Sequence, residues 1–200
     1  MSAIAKISEA DGFDGENVEF KERLKEIIRD RSFSEGEPQQ LASGRTSNFY
    51  FNMKMTMSEP EGLYLIAELM LAEIYKEKCD FLGGLEMGAI PVLSAITTRS
   101  FSKDKPVPHF WVRKKAKEHG TRKLLEGQHP NELRGKTVIM VDDVTTTGGS
   151  VLKAIKEAQS NDITIKTVIT IVDRMEGAVE KLREHGITLK YLCNADDFRS

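Results

Sequence analysis

A short stretch in the C-terminal half combines residue types that suit a sugar phosphate. Residues 138–150 read VIMVDDVTTTGGS, so two acids and a run of threonines and glycines follow four apolar residues. Glycines let a backbone curl around a phosphate, and hydroxyl groups add hydrogen-bond donors. Two adjacent carboxylates would repel a phosphate, but they can accept hydrogen bonds from vicinal sugar hydroxyls and can attract Mg²⁺. We therefore expect Asp142 and Asp143 to bind a sugar and the following turn to bind its phosphate.

The residues around this stretch predict how it is positioned. The apolar run is β-branched and does not alternate, which predicts a buried parallel strand over residues 137–144. Apolar residues then recur at helical spacing, which predicts a helix over 149–160. The turn would lie at the amino end of that helix, where free N–H groups and the helix dipole favour an anion. The alternative is a strand, turn and helix without a ligand, in which the two acids only mark the end of the strand. A nucleotide-hydrolase phosphate loop is excluded, because no Gly-Lys-Ser/Thr follows the turn and the chain contains no Gly-x-Gly-x-x-Gly.

The remaining elements alternate between strands and helices along most of the chain. This order predicts an α/β fold with a parallel doubly wound sheet and right-handed crossovers, whose ligands bind at the carboxyl ends of the strands. Helices are predicted over residues 18–31, 89–98 and 176–185, and a further helix is predicted to begin at 58–61. Strands are predicted over residues 49–53 (or a hairpin arm), 79–84, 109–112, 164–172 and 188–193.

A basic segment follows the strand predicted at 109–112. Residues 113–123 contain six lysines and arginines and one histidine against a single acid, Glu118. Such a run is often a solvated surface, and less often a nucleic-acid patch. Here it follows a buried strand and has no periodicity of its own, which favours a lid. A lid rich in cations suits a leaving group with several negative charges, such as diphosphate.

Composition describes an ordinary single domain of 200 residues with a formal net charge of −2 and 30% charged residues. This balance argues against a dedicated nucleic-acid binder, which would normally be strongly basic. The two cysteines, Cys79 and Cys193, fit no metal spacing and suggest free thiols in a reducing compartment. The polar residues 1–16 are expected to be loosely ordered and do not resemble a secretory signal, so a cytoplasmic location is expected.

Four segments together resemble the motifs of type I phosphoribosyltransferases, and among these the orotate phosphoribosyltransferase family. They are residues 138–150, 43–51 (SGRTSNFYF), 112–121 (VRKKAKEHGT) and 172–177 (VDRMEG), within a likeness that runs from about residue 17 to the C-terminus. The resemblance implies one domain over 17–200, with a small N-terminal hood from about 17–57 and the C-terminal segment. It also implies transfer of a 5-phosphoribosyl group from 5-phospho-α-D-ribose 1-diphosphate to orotate in UMP biosynthesis. Mg²⁺ would be held mainly by substrate oxygens and water, in a homodimer whose basic loop reaches the neighbouring site.

The resemblance also assigns roles to particular residues. Lys117 and His119 would assist the leaving group, and Asp142 and Asp143 would complete the catalytic set. The residues implied to contact phosphoribosyl diphosphate are Arg113, Lys114, Lys117, His119, Asp142, Asp143, Val144, Thr145, Thr146, Thr147, Gly148, Gly149 and Ser150. Many family members have a lysine where this chain has Ala42 and another where it has Met87.

The orotate site is less determined by the residues themselves. Arg174 could grip a carboxylate bidentately, or it could form a salt bridge with Asp173 or Glu176. Tyr50 and Phe51 could stack on a pyrimidine or could be core residues of a hairpin. The resemblance favours orotate contacts for Arg174, Tyr50, Phe51 and Thr146.

Three other functions use similar sequence features. A transferase for another base is disfavoured by Arg174 and the Tyr50–Phe51 pair. A regulator that senses phosphoribosyl diphosphate and binds nucleic acid could dispense with the lid, whereas this chain keeps residues 113–121 and a near-neutral charge. A phosphoribosyl-diphosphate synthase would need an ATP site, and nothing in the sequence resembles one.

Overall fold

The core of the molecule is a parallel sheet of four strands, which lie across the sheet in the order 81–84, 137–145, 164–173 and 188–194. The computed structural model describes residues 13–40, 46–115 and 124–199. The strands are β3 (Phe81–Gly84), β6 (Thr137–Thr145), β7 (Thr164–Asp173) and β8 (Thr188–Asn194). A short strand, β4 (Trp111–Val112), continues the sheet beyond β3 through isolated parallel bridges at Leu82–His109 and Leu85–Val112. The chain thus winds first to one side of β3 and then to the other, which confirms the predicted doubly wound α/β fold.

Helices cover both faces of this sheet. One face carries α3 (Pro60–Ile74) and α4 (Ala89–Ser102), and the other carries α6 (Gly149–Gln159) and α7 (Ala178–Arg183). Along β6, Ile139 and Val141 belong to the first apolar core, while Val138 and Met140 belong to the second. Because successive side chains of a strand point to opposite faces, an unbroken apolar run is what a strand covered on both faces requires.

A smaller layer is built from the N-terminal elements. It contains α1 (Phe13–Arg31), the antiparallel hairpin of β1 (Phe33–Gln40) and β2 (Thr46–Phe51), and α2 (Met53–Met57). The C-terminal segment docks here: the ring of Phe198 lies 5.7 Å from that of Phe33 and 5.3 Å from that of Phe51. An ion pair of 3.0 Å between Lys25 and Asp197 ties the same segment to α1. A hood formed by these elements and the C-terminal segment stays a prediction.

Most predicted elements are present, with differences at their ends. The first helix begins at Phe13 rather than at 18, and α3 is capped by Glu59, whose carboxylate accepts the Gly62 N–H, instead of by Ser58. Residues 33–40 form β1, although Gly36 and Pro38 suggested only the end of a helix. The sequence also gave no signal for α2, for β5 (Leu125–Glu126) or for α5 (Pro130–Leu133). Residues 1–12 lie outside the described ranges, and no helix within those ranges is long and apolar enough to cross a membrane.

Candidate active site

Asp142 and Asp143 lie near the carboxyl end of β6, at the edge of the sheet where ligands of doubly wound folds bind. The backbone N–H of Asp143 donates to Oδ1 of Asp142 over 3.1 Å. Burial and the neighbouring Asp143 carboxylate raise the pKa of Asp142 well above its usual range, while the Lys114 ammonium works in the opposite direction. Two carboxylates held this close attract hydroxyl donors or a cation. Within the described ranges, no group of three or more His, Cys, Asp or Glu residues could hold a metal ion.

The loop between β3 and α4 lies directly against this pair. A Cβ atom added to Gly88 would be 2.7 Å from Oδ2 of Asp143, so only a residue without a side chain allows this approach. The preceding Met87 is 66% exposed. This loop therefore presents an uncharged side chain to solvent at position 87.

The turn after β6 has the geometry expected of a phosphate cradle. Gly148 adopts a left-handed conformation with φ of 72° and caps α6, which a glycine does at no steric cost. The first hydrogen bond of the helix runs from the N–H of Leu152 to the carbonyl of Gly148 over 3.0 Å. The N–H groups of residues 149–151 precede that bond and point out of the helix end. The turn can therefore offer several donors to one anion.

The hydroxyl groups of this turn differ in accessibility. Thr146 and Thr147 are half-buried and Ser150 is exposed, whereas Thr145 is buried. The Thr145 Oγ1 is buried and has no hydrogen-bond partner among the described residues. Val144 is half-buried and packs against the apolar core, so its backbone is the part that could face a ligand.

Arg174 follows β7 and is 3% exposed. Its Nε donates to Oε1 of Glu176 over 2.8 Å, and one terminal nitrogen donates to Oγ of Ser47 over 2.8 Å. The guanidinium also lies over the ring of Phe49, 4.2 Å from its centroid. Arg174 was predicted either to form a salt bridge or to bind orotate, and the salt bridge to Glu176 is present. The orotate contact stays a prediction, in which the orotate carboxylate would share this guanidinium with Glu176.

The two aromatic residues predicted to stack on orotate point in opposite directions from β2. Phe51 is 4% exposed, and its ring centroid lies 5.1 Å from that of Phe33. The stacking role predicted for Phe51 is therefore wrong in this structure, since neighbouring rings enclose it as a core residue of the hairpin. Tyr50 is 40% exposed and lines an open cleft with Ser47 and residues 34–36. Stacking stays a prediction for Tyr50 alone.

The described ends of the basic segment are held side by side. β4 pairs with β5 in an antiparallel ladder, and the N–H of Arg113 donates to the carbonyl of Leu124 over 2.8 Å. Lys117 and His119 lie outside the described residues, so their catalytic roles stay predictions. The two described ends of the segment are therefore anchored at the edge of the sheet, and its role as a lid stays a prediction.

Glu86 connects this anchor to the β3–α4 loop, and sequence reasoning missed it. Its Oε1 accepts the backbone N–H of Lys114 over 2.8 Å, and its Oε2 lies 3.8 Å from Nη1 of Arg113. The backbone N–H of Glu86 in turn donates to the carbonyl of Val112 over 2.9 Å. Glu86 and Lys114 are 28 residues apart in the sequence. No local sequence pattern could therefore have predicted the contact.

Comparisons with known proteins agree with this geometry. Residues 59–189 match the phosphoribosyl transferase domain. The orotate phosphoribosyltransferase of Rhodopseudomonas palustris (strain BisB5) is 49% identical over 177 residues, which cover 88% of this chain and 94% of the relative. The orotate phosphoribosyltransferase of Sorangium cellulosum (strain So ce56) is 37% identical over 179 residues, covering 89% of this chain and 92% of the relative.

Solved structures give the same result. The Mycobacterium tuberculosis H37Rv orotate phosphoribosyltransferase in complex with Fe(III) dicitrate superposes with a TM-score of 0.77 at 31% identity, covering 90% of this chain and 99% of that one. A crystal structure of the same enzyme in complex with 5-phospho-α-D-ribosyl 1-diphosphate gives a TM-score of 0.73 at 28% identity, covering 90% and 98%.

Proposed function

We propose how this chain, which belongs to the phosphoribosyltransferase family and within it to the orotate phosphoribosyltransferases, carries out its reaction. A phosphoribosyl group passes from 5-phospho-α-D-ribose 1-diphosphate to a ring nitrogen of orotate, giving orotidine 5′-phosphate and diphosphate. The C1–O bond to diphosphate breaks with its electron pair leaving on oxygen. The ring nitrogen forms the new bond to C1 and loses its N–H proton to the solvent or the departing diphosphate. The reaction is a step of pyrimidine biosynthesis.

The observation that carries the proposal is the placement of two carboxylates beside a phosphate cradle. Asp142 and Asp143 accept hydrogen bonds from the ribose hydroxyls, and their negative charge favours the positive charge that develops on the sugar as the C1–O bond breaks. Residues 145–150 hold the 5′-phosphate through backbone N–H groups and hydroxyls at the amino end of α6. The ribose is thereby fixed at both ends, which orients C1 for attack.

The basic segment stabilises the departing diphosphate. Arg113 and Lys114 lie at its anchored end, and Lys117 and His119 follow within the loop. Cations placed where negative charge develops lower the barrier by several kcal/mol in comparable electrostatic sites, roughly 3–4 kcal/mol for one lost donor. A closed loop also excludes water, which would otherwise hydrolyse the activated sugar.

Orotate binds at the hairpin side of the site. Its carboxylate shares the guanidinium of Arg174, which Glu176 and Ser47 hold in a fixed orientation. Thr146 offers a second polar contact, and the exposed ring of Tyr50 stacks on the pyrimidine.

Mg²⁺ is the cofactor that we expect, held mainly by substrate oxygens and water. The pair of carboxylates fits such an ion, because Mg²⁺ in phosphate-binding sites usually takes one or two carboxylates together with phosphates and water. When bound, the ion neutralises part of the charge on the diphosphate.

The enzyme acts as a homodimer in the cytoplasm, with the basic loop of one subunit reaching the neighbouring site. The two free cysteines, one buried and one half-buried, are consistent with a reducing compartment. Mixing a Lys117→Ala variant with an Asp143→Asn variant tests the shared site, since each hybrid dimer would contain one site with an intact loop and an intact carboxylate pair. Recovery of up to about a quarter of wild-type activity per site supports the proposal, whereas no recovery in hybrids shown to form contradicts it.

The reaction itself is tested with phosphoribosyl diphosphate, Mg²⁺ and one of four bases: orotate, uracil, hypoxanthine or adenine. We expect loss of orotate absorbance with stoichiometric release of diphosphate, and no turnover of the other bases. Turnover of a purine, or binding of phosphoribosyl diphosphate without turnover of any base, would overturn the proposed substrate.

A further inference from the structure

A lysine on the neighbouring helix α7 lies beside the phosphate cradle. The Nζ of Lys181 is 3.5 Å from the point that a Cβ on Gly149 would occupy. The Oγ1 of Thr147 lies 3.6 Å from the same point. An ammonium group and a hydroxyl therefore flank the first residue of α6, at the helix end whose N–H groups are free to bind an anion.

This ammonium has no carboxylate partner among the described residues, in contrast to two guanidinium groups of the site. Arg113 lies 3.8 Å from a carboxylate oxygen of Glu86, and Arg174 lies 2.8 Å from one of Glu176. The described ion pairs do not include Lys181, although its side chain is half-buried. A partly desolvated cation without a counter-ion is unfavourable unless a ligand supplies the opposite charge.

The charge of the cradle also favours a cation at this position. Its donors are backbone N–H groups and hydroxyls, which carry no formal charge, and Asp142 and Asp143 add negative charge nearby. A phosphate monoester carries about −1.5 to −2 charge at neutral pH. A cation at the cradle would offset the repulsion between this dianion and the two carboxylates.

We propose that Lys181 binds the 5′-phosphate of phosphoribosyl diphosphate, a contact that rests on the function proposed above. The ammonium reaches the phosphate from α7, while the turn at residues 145–150 holds it from β6 and α6. Because the contact is far from the breaking bond, it contributes equally to the ground state and the transition state. Its loss therefore raises KM for phosphoribosyl diphosphate and leaves kcat nearly unchanged.

Calorimetry on the enzyme without orotate tests the contact, with ribose 5-phosphate and diphosphate as separate probes. Lys181→Met keeps the length of the apolar chain and removes the charge, and Lys181→Arg restores a cation. Lys156→Met is the matched control, because Lys156 lies on α6 but is exposed. We expect Lys181→Met to weaken ribose 5-phosphate binding about tenfold, equivalent to about 1.4 kcal/mol. Diphosphate binding should change less than twofold, and Lys181→Arg should recover most of the affinity.

Equal affinity of wild type and Lys181→Met for ribose 5-phosphate, in a variant that melts like the wild type, would overturn the contact. An equal loss of affinity for diphosphate would also overturn it, since the lysine would then act through general charge. The orotate assay decides the proposed function separately. A wild-type enzyme that binds ribose 5-phosphate through Lys181 but does not turn over orotate would retain the contact and lose the function.

Discussion

Substitution of Gly88 by alanine should damage the carboxylate pair without unfolding the protein. Gly88 precedes α4 with φ of −58° and ψ of −42°, a conformation that alanine adopts without strain. The added Cβ would lie 2.6 Å from Cγ and 2.7 Å from Oδ2 of Asp143. Carbon atoms in contact are normally about 3.5–4.0 Å apart, so the carboxylate must move by about 1 Å.

The size of the effect follows from that displacement. A shift of about 1 Å in a catalytic group can lower the rate about 100-fold. Because Asp143 is only half-buried, its side chain can relieve part of the overlap by rotating toward solvent. We therefore expect kcat/KM to fall by about 10- to 100-fold, or about 1.4–2.7 kcal/mol. The free energy of unfolding should change by less than about 1 kcal/mol, the lower end of the range for overpacking.

The assay is steady-state turnover of orotate and phosphoribosyl diphosphate, with thermal melts run in parallel. Lys156→Ala is the control, because Lys156 is exposed on α6 and has no proposed role in the site. A second control repeats Gly88→Ala in an Asp143→Ala background, where the overlap is removed and the two effects should not add. Wild-type kcat/KM in Gly88→Ala would refute the reasoning. Full additivity in the double variant would show that the loss has another origin.

Three further outcomes follow from the site. Glu86→Ala should lower turnover more than Glu86→Gln, because glutamine can still accept the N–H of Lys114. Equal losses of turnover in the same assay would exclude a role of Glu86 in anchoring the basic segment. The raised pKa of Asp142 means that the unfolded chain releases this proton first, so the stability that wild type loses over the pH range above about 4 should be smaller in Asp142→Asn. Urea denaturation across that range checks the sign, and a constant difference between the two proteins would contradict it. Tyr50→Ala should raise KM for orotate without changing the melting temperature. Phe51→Ala should instead destabilise the fold by about 3–5 kcal/mol. The reverse pattern would restore the stacking role of Phe51.

The parts of the fold that could be predicted from sequence are those with a local signal. The β-branched run of β6 and its following glycines identified a buried strand, a turn and a helix start within a dozen residues. The alternation of such units predicted the parallel sheet. Strand β1 was missed because Gly36 and Pro38 usually end elements, but an edge strand in a two-stranded hairpin tolerates both.

The contacts that complete the site could not be predicted, because they join distant parts of the chain. Glu86 looks like a surface acid until the fold brings it beside Lys114, and nothing in the sequence pairs Gly88 with Asp143. Tyr50 and Phe51 differ because side chains alternate along β2: Phe51 faces the core, whereas Tyr50 faces solvent.

The described cations around the site differ in what ligand binding would require of them. Arg174 and Arg113 already have carboxylate partners in Glu176 and Glu86, so an anion that reaches them shares or replaces an existing ion pair. Such an exchange gains little charge stabilisation, but it fixes the guanidinium groups in place before the substrate arrives, which favours orientation over affinity. Affinity must then come largely from groups that gain a partner on binding. In the part of the chain that the structure describes, these include the free N–H groups at the start of α6 and the ammonium of Lys181, both at the end of the site that we assign to the 5′-phosphate. Binding energy would thus be concentrated on the part of the substrate that does not react, and the reacting end would be held by groups already in position.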